Sequence, residues 1–172
     1  MRKITPDEIL SLGAYESVRD RFRARVIAHK RARRLLPGPA MSVVFEDHDT
    51  ALFQVQEMLR AERISAPKAV REEIDVYNSL VPPDGCLLAT LMIEIEDAAE
   101  REVRRREYVG LDECVRIELG EHAIKGEFED WGKFEDRIAA VRYVMFRLPP
   151  DGRALLLDEG VAARFVIDHP KY

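Results

Sequence analysis

The chemistry available to this sequence rests on four carboxylates and one imidazole: Glu62, Glu73, Glu94, Glu96 and His48. Glu94 and Glu96 stand two apart at the end of a strand-like run, Leu87 to Glu96 (LLATLMIEIE), so both project from one face. Two carboxylates at that spacing form half of a cation or acid–base site, or equally a solvated sheet face. Glu62 and Glu73 fall on sides of two helix-like segments that apolar residues also occupy. A carboxylate there needs a partner, because a bare buried charge is costly. Arg63 and Gln56 are the partners that the spacing offers. Such a network is either a structural salt bridge fixing how two helices cross, or a polar pocket able to hold a metal or a small anion. His48 is the best isolated nitrogen ligand. No HxH, HxxxE or HExxH spacing completes a metal set, and four scattered histidines (His29, His48, His122, His169) add little.

The elements that must position these residues read strand, helix, helix, strand over Met41 to Glu96. The first strand is Met41 to Glu46 (MSVVFE). Helix one spans Asp49 to Ile64, with Asp49 as N-cap. On its wheel Leu52, Val55, Met58 and Leu59 form the apolar arc, and Gln56, Glu62 and Arg63 share it. Gln54, Glu57 and Ala61 fall opposite, as a solvent face. Helix two spans Pro67 to Val81, with a stripe of Val70, Ile74, Tyr77 and Val81 and with Glu73 beside it. This phase predicts that Glu62, Arg63 and Glu73 are substantially buried and that Arg63 pairs with a carboxylate.

Upstream, Thr5-Pro6-Asp7-Glu8 has the pattern of a capping box. A long helix follows from Ala14 to about Leu36, stopped by Pro37-Gly38-Pro39. Its stripe is Tyr15, Val18, Phe22, Val26 and His29. Arg19 to Arg34 holds eight Lys/Arg and one Asp. That face is either solvated, with arginine stems lying over apolar neighbours, or a docking surface in which Arg23, Lys30 and Arg34 meet an acidic partner. An internal acidic partner is also available, since Glu127, Glu129, Asp130, Glu135 and Asp136 crowd one later segment. Nucleic acid is not the expected partner: the net charge is −5, and Phe22 is the one aromatic within the basic run.

Downstream, Asp97 to Glu107 is a short charged helix and the remainder reads as β. Val115 to Leu119 and Ala123 to Phe128 form a hairpin, and Gly126 inside the returning strand signals a bulge or a close backbone approach. Glu129 to Asp136 is a loop in which Trp131 covers core. Ile138 to Leu148, apolar on both faces, reads as a central strand. A short helix from Pro149 to Leu157 and a last strand, Val161 to Asp168, complete the chain. The expected class is α+β in a single domain: N-terminal helices (1–40) and a central helix pair (within 41–96) on a mainly antiparallel sheet of five or six strands, with 97–172 mainly β.

A chain of 172 residues buries a core without staples. Cys86 and Cys114, in no CxxC pattern, read as buried free thiols. MRKITPDEIL lacks the apolar region of a signal peptide, and no apolar run reaches the ~18 residues of a membrane span, so a cytoplasmic setting without membrane contact is expected.

Six strings are spread along the chain from its start to its end: RKITPDEIL, RVIAHKRARR, LFQVQEMLRAERI, VYNSLVP, ATLMIEIED and VIDHPKY. They resemble a bacterial family known as domain-of-unknown-function family 3501. That family carries no assigned activity and no catalytic residues to transfer. The resemblance implies one family-sized domain. It also implies a setting in peroxide or iron redox metabolism, because such genes lie near rubrerythrin-like and iron–sulfur oxidoreductase genes. Two functions follow: a non-enzymatic accessory or adaptor protein docking a rubrerythrin-like or iron–sulfur oxidoreductase partner, or a carboxylate-site metal protein or enzyme of peroxide or iron metabolism. The diffuse carboxylates favour the first.

Overall fold

The computed structural model describes residues 1–129 and 136–172. The expected Trp131 cover and the acidic Asp130 and Glu135 lie outside the described residues. Five α-helices and eight strands are described, of α+β class. They divide into two compact units, Met1–Arg33 with Glu46–Pro83, and Arg34–Phe45 with Asp84–Tyr172.

The first unit is helical. A 3-10 turn, Pro6–Glu8, precedes α1 (Leu12–Arg31), α2 (His48–Ala61) and α3 (Pro67–Tyr77). The capping box forms: the Glu8 carboxylate accepts from the Thr5 N–H and Oγ1. α1 ends at Arg31 rather than near Leu36, because Pro37 marks only the outer limit of a helix and the chain before it is already extended. Its predicted stripe holds, with Tyr15 and Val26 buried and Val18, Phe22 and His29 half-buried. The N-cap of α2 is Asp47, not Asp49: its carboxylate accepts from Thr50 N–H, while Thr50 Oγ1 accepts from Asp47 N–H. Asp49 is the second residue of the helix, in its first turn, and is exposed. α2 stops at Ala61 in a left-handed cap. Arg63 takes φ 56°, and the N–H groups of Ile64 and Arg63 close on the carbonyls of Leu59 and Arg60.

The second unit holds both sheets. β1 (Arg34–Leu35), β2 (Met41–Phe45), β3 (Cys86–Ile93), β7 (Val141–Arg147) and β6 (Glu127–Phe128) form an antiparallel sheet in that spatial order. β5 (His122–Lys125), β4 (Val115–Leu119) and β8 (Ala163–Ile167) form a second one. The first sheet has the expected five antiparallel strands, and three further strands form the second. Val43, Leu91, Val144 and Phe146 of the first face Ile117, Leu119 and Ile124 of the second in one core. Phe165 of β8 joins them edge-on to Phe45 and Phe146. β7 alternates instead of burying both faces, and its inward row includes Arg142, whose guanidinium lies 4.8 Å from the Phe128 ring. At Gly126 the chain passes from β5 to β6 and so changes sheets. A Cβ there would lie 2.6 Å from Val144 Cγ2, which is the close approach the glycine signalled. α4 (Ala98–Glu107) and α5 (Gly152–Leu157) complete the unit.

Candidate functional site

The basic helix is built by its stripe. With Tyr15, Phe22 and Val26 turned inward, the intervening residues turn out. Arg21, Arg23, Arg25 and Arg31 are exposed and Lys30 is half-buried. Arg25 stacks over Phe22 at 4.9 Å. Arg21, Arg23, Lys30 and Arg31 make no ion pair among the described residues. Ile27, off the stripe, is 46% exposed. Ile27 lies outside the stripe that the spacing assigns to the core, and an isoleucine off the stripe in a basic helix is the sequence signal for it. Arg34 lies beyond the helix, on β1, and is bonded by Glu94, so it does not extend this face. The internal acidic segment supplies other partners: Glu127 meets Arg147, and Asp136 meets Arg106.

Where α1 meets α2 the two run antiparallel, and their polar seam is paired throughout. Glu57 accepts from Tyr15 Oη at 2.7 Å and from Arg19 through both carboxylate oxygens, at 2.8 and 2.7 Å. This two-pronged, charge-assisted geometry is the strong kind of ion pair. It holds the Glu57 carboxyl at about 2, chiefly through the Arg19 hydrogen bond. Burial, then the Glu57 bond, pushes the Tyr15 phenol up. Glu57 falls on the side that the wheel assigns to solvent, and no residue pattern signals that α1 covers that flank. Further along, Asp47 accepts from Arg33 at 2.6 Å and lies 2.7 Å from His29 Nε2. Burial works to raise the Asp47 carboxyl, but the Thr50 N–H, His29 and Arg33 outweigh it and lower it.

The predicted network is not formed as expected. Glu62 and Arg63 are exposed, and Glu73 is half-buried. The helix ends at Ala61, so a wheel continued to residue 63 assigns a side to residues that have left it. Arg63 makes no ion pair among the described residues. Gln56 is buried, but its partner is backbone: Oε1 accepts from Leu10 N–H at 2.9 Å and Nε2 donates to Leu10 O at 3.1 Å. Asn78 clamps Ile4 in the same way. His48 opens α2 with Nε2 3.0 Å from Glu8 Oε1. Burial opposes ionisation of Glu8, but Arg2, Thr5 and His48 hold its carboxyl at about 2. His48 and Glu62 therefore stand at opposite ends of a helix roughly 20 Å long. Glu94 and Glu96 are exposed beyond the end of β3. Glu94 accepts from Ser42 Oγ and Arg34 Nη1. Among the described residues no three His, Cys, Asp or Glu side chains gather closely enough to hold a metal ion.

The family model described as "Protein of unknown function (DUF3501)" matches residues 3–172. The chain belongs to the DUF3501 family. A crystal structure of a novel protein of unknown function from Burkholderia pseudomallei K96243 is similar to it at 32% identity, covering 99% of this chain and 90% of that one with a TM-score of 0.91. None of the curated proteins matches the chain. The α+β arrangement described above is therefore shared with another solved protein over nearly its whole length. No described helix is long and apolar enough to cross a membrane.

Proposed function

We propose that this DUF3501 protein is a non-enzymatic adaptor that docks an acidic protein, of the rubrerythrin-like or iron–sulfur oxidoreductase kind, through the outer face of α1. The observation that carries the reading is Ile27, exposed with Arg23 one turn before it and Lys30 and Arg31 one turn after. An apolar anchor ringed by unpaired cations suits a partner with a small apolar contact inside an acidic rim. Like charges a turn apart repel, and nothing described on α1 relieves these three. An acidic surface would relieve them and speed encounter as well.

The test is the affinity of the full chain for purified rubrerythrin-like and iron–sulfur oxidoreductase proteins encoded beside its gene. We expect binding that weakens several-fold between about 50 and 300 mM salt. Reversal of Arg23, Lys30 and Arg31 to Glu is expected to weaken it at least about tenfold, a loss of about 1.4 kcal/mol. Ile27→Ser is expected to weaken it without changing the salt slope. Unchanged affinity in the triple variant rules the reading out. Duplex DNA, the control, should not compete.

A further inference from the structure

A cavity of about 420 Å³ lies beside α4, in the unit that holds the sheets. Glu100, Arg104 and Tyr108 line it, and their spacing of four places all three on one face of the helix and its cap. Glu94, from the end of β3, and Lys171, near the C-terminus, add one carboxylate and one ammonium. Pro39, Ala40 and Ile95 supply an apolar wall.

Three of these groups have unused bonding capacity. Tyr108 is 3% exposed, with its ring held edge-on by His169 and Tyr172, yet its hydroxyl makes no hydrogen bond among the described residues. The hydroxyl is not among the fully enclosed atoms without a partner, so it opens onto the cavity and can donate to whatever occupies it. Burial pushes the phenol up, so it is a protonated donor at neutral pH. Glu94 takes both of its bonds, from Ser42 and Arg34, on Oε1, which leaves Oε2 for another donor. Lys171 makes no ion pair among the described residues. Arg104 is partly satisfied by Glu107 at 2.8 Å and stands 3.8 Å from Glu100.

The wall therefore presents both signs of charge around a donor that has no acceptor. A ligand with one charge would be attracted by half of this lining and repelled by the other half. A ligand with both charges, oriented so that each faces its opposite, is attracted by both halves. We propose that the cavity binds a small zwitterion of the free α-amino-acid class. The ammonium meets Glu94 and Glu100, the carboxylate meets Lys171 and the Tyr108 hydroxyl, and the side chain lies on Ile95 and Pro39. The volume is at the lower end of what small-molecule sites enclose, which suits a ligand of this size.

The experiment is calorimetric titration of the full chain with each of the twenty free L-amino acids. At least one is expected to bind with a Kd below about 1 mM. The best binder is then compared with the amine lacking its carboxylate and the acid lacking its amino group, and each should bind at least about tenfold more weakly. Tyr108→Phe keeps the ring and its packing, so an about tenfold loss of affinity with an unchanged melting temperature is expected. If that variant is destabilised, Lys171→Ala at an exposed position carries the test, with an about fivefold loss expected. Absence of binding by all twenty overturns the proposal. So does a singly charged analogue binding as tightly as its parent, or full affinity in a stable Tyr108→Phe or in Lys171→Ala.

Discussion

Tyr15 on α1 and Tyr108 at the end of α4 are buried to nearly the same degree, 0% and 3% exposed. Both stand edge-on to another aromatic ring. Their hydroxyls differ. Tyr15 donates to Glu57, which is gripped in turn by Arg19, so the phenol's bond is made within the protein. Tyr108 donates to nothing described. A phenol whose bond is made inside the protein fixes how two helices meet. A phenol whose bond is left unmade, in the wall of a cavity, has capacity for something that arrives. The protein thus uses one side chain in two ways, and bonding rather than burial separates them.

The comparison can be broken most directly at Glu57. Glu57→Ala would leave the Tyr15 hydroxyl buried without an acceptor, and a loss of about 2 to 3 kcal/mol in urea unfolding at pH 7 is expected. A loss under about 0.5 kcal/mol would mean that water reaches the seam, and the contrast with Tyr108 would fail. A matched pair of phenylalanine substitutions sharpens it. Tyr15→Phe removes a hydrogen bond to a charged acceptor and should cost about 1.5 kcal/mol. Tyr108→Phe removes no bond and should stay within about 0.5 kcal/mol of the parent. Equal costs would erase the distinction. The smallest effect near neutrality concerns pH. The folded Glu57 carboxyl is held at about 2, below its unfolded value, so the stability it contributes is fully present above the ordinary carboxylate range. That contribution is lost as pH falls from roughly 4.5 through about 2. Glu57→Gln should flatten this part of an acid unfolding profile, with Glu8, also at about 2, leaving a residual slope. Superimposable acid profiles for the parent and Glu57→Gln would show that the pair with Arg19 is not formed in solution.

The sequence made some of this legible and not the rest. The strand Val115–Leu119 was read with its bounds intact, because alternation is sharp there and Gly120, at φ 56°, ends it. The inner stripe of α1 was legible for the same reason, since periodicity reports which side is covered. Periodicity does not report where a helix stops. α2 ends in a left-handed residue that is usually glycine or asparagine; here it is Arg63, so no signal was present and the wheel ran on. Nor does a wheel know how many neighbours a helix has. Glu57 lies opposite the main apolar arc of α2 and was assigned to solvent, but α1 covers that flank. Gln56 was recognisable as a polar residue in a buried row. Its partner, a peptide group 46 positions earlier, was not. The cavity beside α4 escaped because its groups come from four separate segments, none with a motif of its own.

Gly126 sets a tolerance for the whole sheet unit. The chain changes sheets there, and the space a methyl group would need is taken by Val144, Phe146 and the carbonyl of Val115. Both sheets are thus spaced by a hydrogen atom at one point along their shared strand path. Any other residue acts as a shim: it must push the Val144 strand away from β4 or pull β6 out of register. A randomised codon at this position, selected for folded protein, should return glycine almost alone, although its backbone needs no left-handed angle. The constraint comes from thickness, not conformation.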